Sequence, residues 1–165
     1  MSRTHNGDTG FTSIIEKRVA KNSSQIRALG ALDELNAWID LCNSFSKGSD
    51  KKILYKIRND LRKISFCVAG GKCDVEEKDV NFLENESLKI DSKFKVKNFV
   101  DFEGYGLFFN IARTVCRRAE LELLNFSPPD AKSSYLNRLS TLLFSLAVKS
   151  KSTSHRTLLG NKRKP

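Results

Sequence analysis

The sequence predicts an all-α fold: an antiparallel bundle of four or five helices behind an N-terminal, glycine-containing nucleotide loop. Three observations carry that prediction. Apolar residues recur at helical spacing in four separate stretches. Strand-like alternation is confined to a short stretch around Phe94–Phe102. The 165 residues show no repeat, and 39% hydrophobic content suits one continuous core.

The chain opens on THNGDTGFTS, Thr4–Ser13, read as part of a phosphate loop over residues 3–21. Gly7 and Gly10 permit positive φ, so successive N–H groups can converge on an oxyanion. Thr12 and Ser13 add hydroxyl donors, and Lys17, Arg18 and Lys21 add charge. The first helix is expected over residues 25–46, with Ala28, Leu32, Leu35, Ile39 and Cys42 on one face and Asp33, Asn36 and Asp40 on another. Asp50–Val68 repeats the pattern with Ile53, Ile57, Leu61 and Ile64. Val80–Ile90 reads as a weaker, acidic helix, followed by a loop or extended segment to Gly106.

The next helix holds RTVCRRAE, Arg113–Glu120. At 100° per residue, Arg113, Arg117 and Glu120 share a face with Asn110, while Phe108, Ala112, Val115, Ala119 and Leu123 occupy the opposite arc. Guanidinium forks on one side of a rigid rod suit an anion site. Pro128 and Pro129 end this helix, and Asp130 is placed to cap a last one. That helix carries Leu136, Leu139, Leu143 and Leu146 on its core face and Ser134, Asn137 and Thr141 on the other. A bundle domain is expected over 1–150 and a basic, disordered tail over 151–165.

The net charge is +10, and six of those charges (Lys149, Lys151, Arg156, Lys162, Arg163, Lys164) lie from Lys149 onward with no acid. Such a terminus keeps a disordered end in solution, and nucleic-acid binding through it is not expected. A helical interaction protein with a nucleic-acid-binding tail is the rival reading; it has no use for the glycine loop, Arg117 and Asn137 together. Cys42, Cys67, Cys73 and Cys116 form no CxxC pair and the two His residues lie far apart, so neither a zinc site nor a redox motif is encoded, and buried free thiols are expected. No apolar run approaches the roughly 20 residues that span a bilayer, and MSRTHNGDTG has no signal-peptide core, so a cytoplasmic protein without membrane contact is expected.

Asp33 and Arg113 fall mid-helix on the polar stripes of two long helices, where each calls for a partner. If both helices face a subunit boundary, the two would form a bidentate bridge across it. Asn137 could bring its amide to the same cleft, with Phe99 or Phe102 closing the apolar end.

Taken in order and spacing, NGDTGFT, DELN (Asp33–Asn36), RTVCRRAE and YLNRLSTLLFSLA (Tyr135–Ala147) resemble the ATP-dependent cob(I)alamin (corrinoid) adenosyltransferases over nearly the whole chain. The resemblance implies a five-helix bundle, a homotrimer, ATP bound between neighbouring subunits, and magnesium. It implies transfer of the 5′-deoxyadenosyl group of ATP to the cobalt of reduced cob(I)alamin, giving triphosphate and adenosylcobalamin. By position, Thr4, His5, Asn6, Gly7, Thr12, Ser13 and Lys21 would wrap the triphosphate, and Arg117, Arg118, Glu120 and Asn137 would contact the nucleotide. Asp33 and Arg113 would form the intersubunit salt bridge; with Arg117 they are the residues on which catalysis is expected to depend. Phe99 would help displace the lower axial base of the corrinoid. No protein ligand for a metal is implied; a cobalamin reductase and an adenosylcobalamin-dependent mutase are the implied partners.

Two stretches depart from the family pattern. AGGKCDV, Ala69–Val75, stands where the family has G-x-D-L-A, and Asp101, Phe102, Glu103 and Gly104 replace the proline and glycines after Phe99. The second departure leaves a further alternative, an ATP-binding corrinoid sensor or delivery protein with weak catalysis.

Overall fold

The computed structural model describes residues 7–94 and 100–160, with side chains followed as far as Lys151. A hairpin of β1 (Phe11–Ile14) and β2 (Lys17–Ala20) leads into five helices: α1 (Ser24–Phe45), α2 (Gly48–Val68), α3 (Glu77–Asp91), α4 (Tyr105–Phe126) and α5 (Ala131–Gly160). All five predicted helices are present, and α3 is longer at both ends than expected.

Local chemistry sets the boundaries. Ser23 caps α1 by accepting the Ile26 N–H at 3.4 Å. At the start of α3 the Asp79 carboxylate reaches back to the Glu76 N–H at 3.3 Å. Asp130 accepts the N–H groups of Lys132 at 2.9 Å and Ser133 at 3.4 Å, as its position before the last helix predicts.

Ion pairs between helices give their directions. Arg27 meets Glu122 at 3.3 Å and Arg118 pairs with Glu34, so α1 and α4 run antiparallel. Arg58 meets Asp40 at 3.1 Å between α2 and α1. Arg138 lies 3.7 Å from Glu84, and Ser145 donates to Asp91 at 2.7 Å, so α3 and α5 run alongside each other in the same direction. Consecutive helices therefore alternate up and down.

The core is the one that apolar spacing predicts. Ala28, Leu32, Leu35, Ile39 and Cys42 meet Ile53, Ile57, Leu61 and Ile64, together with Ala112, Val115, Ala119 and Leu123 of α4 and Leu136, Leu139, Leu143 and Leu146 of α5. Burying each large side chain is worth roughly 1.5–3 kcal/mol. Inside this apolar mass lies a polar cluster that spacing gave no reason to expect. Tyr135, fully buried, donates to Asp60 at 3.0 Å, and the Lys56 ammonium bridges Asp60 at 2.6 Å and Asp79 at 2.9 Å, tying α2, α3 and α5 together.

Two expectations are corrected. The sheet lies at 11–20 within the predicted phosphate loop, while 100–103 has no regular structure and 95–99 lies outside the described residues. β1 and β2 are four residues each with a reversal at Ile15–Glu16, too short for alternation to stand out. The backbone of α5 stays helical to Gly160, and no proline or glycine interrupts 131–159; residues 161–165 lie outside the described set. Only Cys42 and Cys116 are buried free thiols; Cys67 is partly exposed and Cys73 exposed. Phe102, partly buried, packs edge-on against Phe144 at 6.0 Å.

Candidate functional site

The polar stripe of α4 and the N-terminal half of α5 meet in a cleft of about 230 Å³ lined by Glu120, Leu124, Pro129, Ser133, Ser134, Asn137 and Arg138. Helical phase places these groups. Ala119 and Leu123 turn into the core and leave Glu120 facing α5, while Leu136 and Leu139 bury the other side of α5 and turn Asn137 outward. The Asn137 amide N–H donates to Glu120 at 3.0 Å, and its carbonyl oxygen accepts from Arg138 at 3.0 Å. Both ends of the amide are thus held by charged neighbours, which fixes its orientation.

Arg117 stands exposed on the same stripe, three residues before Glu120. Arg118, its neighbour in sequence, turns the other way to pair with Glu34 of α1. Arg113 is half-buried, and its guanidinium donates to Asn110 at 2.9 Å, as their shared face predicts. Asp33 is exposed on α1, and among the described residues no ion pair joins it to Arg113 within one chain. Arg138, which lines the cleft, was missed from the sequence although it adjoins Asn137; nothing in a motif tells which neighbour turns toward the cleft.

The hairpin brings Gly7 and Lys21 together. The Lys21 N–H donates to the Gly10 carbonyl at 2.8 Å, and its ammonium lies 2.9 Å from where a side chain on Gly7 would begin. Gly10 adopts φ 79°, the conformation expected of it. Thr12 pairs with Val19 and Ser13 with Arg18, so strand alternation sends their hydroxyls to opposite faces. Arg18 donates to Thr9 at 3.0 Å and lies 5.6 Å from the centre of the Phe11 ring. No described hairpin residue lines the cleft between α4 and α5. Thr4, His5, Asn6 and Phe99 lie outside the described residues.

A second cleft, about 460 Å³, opens at the other end of α4. Phe45 stacks on Tyr105 at 5.1 Å and on Phe108 at 5.6 Å, while Lys149 bridges to Asp50 at 2.6 Å. At its base burial pushes the Cys42 thiol up to about 12, so the sulfur stays a protonated, apolar filler. At 1.5 Å of rise per residue, Phe108 and Glu120 are about 18 Å apart along the axis, too far to share one small ligand. Among the described residues, no three His, Cys, Asp or Glu side chains gather to hold a metal ion.

The sequence model of the family described as cobalamin adenosyltransferase matches residues 2–150. This chain belongs to the cobalamin adenosyltransferase family. Among its relatives in that family, a cobalamin adenosyltransferase from Cupriavidus metallidurans is 32% identical over 160 residues, covering 87% of this chain and 84% of the relative. The corrinoid adenosyltransferase PduO of Salmonella typhimurium is 27% identical over 92% of this chain, which spans only 50% of that longer protein. A variant of a PduO-type ATP:co(I)rrinoid adenosyltransferase from Lactobacillus reuteri, solved in complex with ATP, superposes with a TM-score of 0.81 at 26% identity, over 93% of this chain and 96% of that one. The cobalamin adenosyltransferase fold and the alignment of its helices thus extend over the whole bundle.

Proposed function

We propose that this chain transfers the 5′-deoxyadenosyl group of ATP to the cobalt of a reduced corrinoid, releasing triphosphate. The observation that carries the reading is the meeting of Glu120 and Asn137 from two helices, 3.0 Å apart beside the Arg117 stripe, in a chain of this family. The electron pair comes from Co(I), the C5′–O bond breaks, and triphosphate leaves with that bond's electrons. The protein needs no general base. Its tasks are to hold C5′ in line with cobalt and to neutralise charge on the departing triphosphate.

The residues divide along those tasks. Arg117, with no hydrophobic cover, is free to meet phosphate oxygens, while Glu120 and Asn137 offer the acceptor and donor pair that orients a nucleoside. Gly7, Thr12, Ser13 and Lys21, with Thr4, His5 and Asn6, form the loop that wraps the triphosphate, and Arg118 adds a contact once released from Glu34. Separation of the hairpin from the cleft within one chain supports a nucleotide held between two subunits of a homotrimer. In that assembly exposed Asp33 and the guanidinium of Arg113 pair across the boundary. Magnesium, without a protein cage, travels on the triphosphate oxygens and balances their charge. Phe99 keeps the axial base off the corrinoid in this reading, a cobalamin reductase supplies Co(I), and an adenosylcobalamin-dependent mutase in the cytoplasm takes the product.

The test is Arg117→Ala. Its side chain is exposed, so helicity and assembly should be unchanged, while ATP binding and turnover fall by about 2 kcal/mol or more as a charge-assisted contact is lost. Calorimetric titration with ATP reads the first effect and adenosylation rate the second. A folded variant that binds and turns over ATP like wild type contradicts the assignment.

A further inference from the structure

The stretch Ala69–Val75, which departs from the family pattern and has no role in the reading above, brings two cysteines together. After α2 ends, the N–H groups of Ala69, Gly70 and Gly71 turn back to the carbonyls of Ser65 (2.9 Å), Cys67 (3.1 Å) and Phe66 (2.9 Å). Gly70 takes φ 105°, which the reversal requires of a glycine, and a side chain on Gly71 would begin 2.2 Å from the Phe66 ring and displace it. The chain then folds over the last turn of α2. The Cys67 thiol donates to the Lys72 carbonyl at 3.9 Å, which sets the peptide that leads into Cys73 directly over it. Both are free thiols; Cys73 is exposed and Cys67 partly so.

A cleft of about 620 Å³ opens beside them, lined by Arg62, Lys63, Phe66, Lys72 and Asp74; Phe66 adjoins Cys67 in the chain, and Lys72 and Asp74 adjoin Cys73. Three cations face one carboxylate there, and Lys63 reaches Asp74 only at 4.0 Å. The surplus charge suits a small anion, and the half-exposed Phe66 ring offers it an apolar wall. Burial, and then the neighbouring Cys73 thiol, push the Cys67 thiol up to about 11, so the exposed Cys73 is the group that meets a reagent first.

We propose that Cys67 and Cys73 form a redox-active dithiol that exchanges with small, carboxylate-bearing disulfides, which Arg62, Lys63 and Lys72 draw into the adjoining cleft. The Cys73 thiolate attacks one sulfur of the reagent, the reagent's S–S bond breaks, and one small thiolate leaves. Cys67, having given its proton to solvent, attacks the Cys73 sulfur and expels the second thiolate. Two electrons pass from the pair to the reagent, and the products are one Cys67–Cys73 disulfide and two small thiols. The disulfide closes the short loop containing Gly70, which lies against the hairpin turn: a side chain there would begin 3.8 Å from the Ile15 carbonyl. This chemistry is independent of the adenosyl transfer.

The experiment treats the reduced full-length protein with oxidised glutathione, or with the uncharged bis(2-hydroxyethyl) disulfide, then alkylates free thiols and maps them by mass spectrometry. The expected result is a loss of two hydrogens, with Cys67 and Cys73 both protected and Cys42 and Cys116 still thiols. Oxidised glutathione should react about tenfold faster than the neutral reagent, each rate scaled to that with a simple thiol, and Lys63→Gln/Lys72→Gln should remove the advantage. Cys67→Ser should trap the mixed disulfide on Cys73. A lasting mixed disulfide on wild-type Cys73 with Cys67 still open to alkylation overturns the proposal, and so does equal scaled reactivity toward the two reagents.

Discussion

Asp79 shows what a single carboxylate does inside this bundle. Burial opposes its charge, but the Lys56 ammonium and the Glu76 N–H outweigh that effect and hold its carboxyl below the ordinary 3.8. Lys56, despite its own burial, is raised above 10.5 by its bonds to Asp60 and Asp79. A lowered carboxyl stabilises the fold above its unfolded value and loses that contribution as pH falls through the folded one; a raised ammonium loses its contribution as pH climbs past about 10.5. The urea midpoint should therefore stay level between about pH 5 and pH 9 and drop below about pH 4. Asp79→Asn should lower the neutral plateau and flatten the acid limb. An acid limb as steep in the variant as in wild type contradicts this account. Only the Lys56–Asp60 pair, four residues apart on α2, has a spacing the sequence could show; Asp79 and Tyr135 are far from it in the chain and join it only when α2, α3 and α5 pack.

At the scale of elements, helices were legible and their companions were not. Apolar residues three and four apart mark α1, α2, α4 and α5 because each buries one face, and Pro128, Pro129 and Asp130 mark the turn into α5 because they can neither continue one helix nor avoid capping the next. Asp130→Ala removes the acceptor for the Lys132 and Ser133 N–H groups and should cost about 1 kcal/mol of stability, measured by urea unfolding, with ATP affinity unchanged. A loss of affinity without a loss of stability would give Asp130 a role in the site instead. The hairpin escaped because four-residue strands hold too few alternations, and because the same Gly, Thr and Asp residues that signal a turn also signal a phosphate loop.

On the scale of the whole molecule, the candidate site is half built. Glu120, Asn137 and Arg117 share one side of the bundle, while Gly7 and Lys21 come together on a hairpin that lines no part of that cleft. Four motifs in order told which residue types belong to the site, and the resemblance they carry implies a site shared between subunits; which side of the bundle each group takes came only with the packing. If a neighbouring subunit completes the site, Asp33→Ala and Arg113→Ala should each lower the trimer fraction in sedimentation and the adenosylation rate together, by leaving one charge unpaired, and the swapped pair Asp33→Arg/Arg113→Asp should recover part of both. A wild-type chain that sediments as a monomer at active concentrations would contradict a shared site.

The central claim is adenosyl transfer, and one anaerobic reaction tests it most directly. Full-length protein is mixed with ATP, magnesium and chemically reduced cob(I)alamin, and the corrinoid and phosphate products are identified together. The account predicts a light-sensitive adenosylcobalamin and intact triphosphate in equal amounts. ATP bound but unconsumed, or split to diphosphate and phosphate with the corrinoid unchanged, would contradict it.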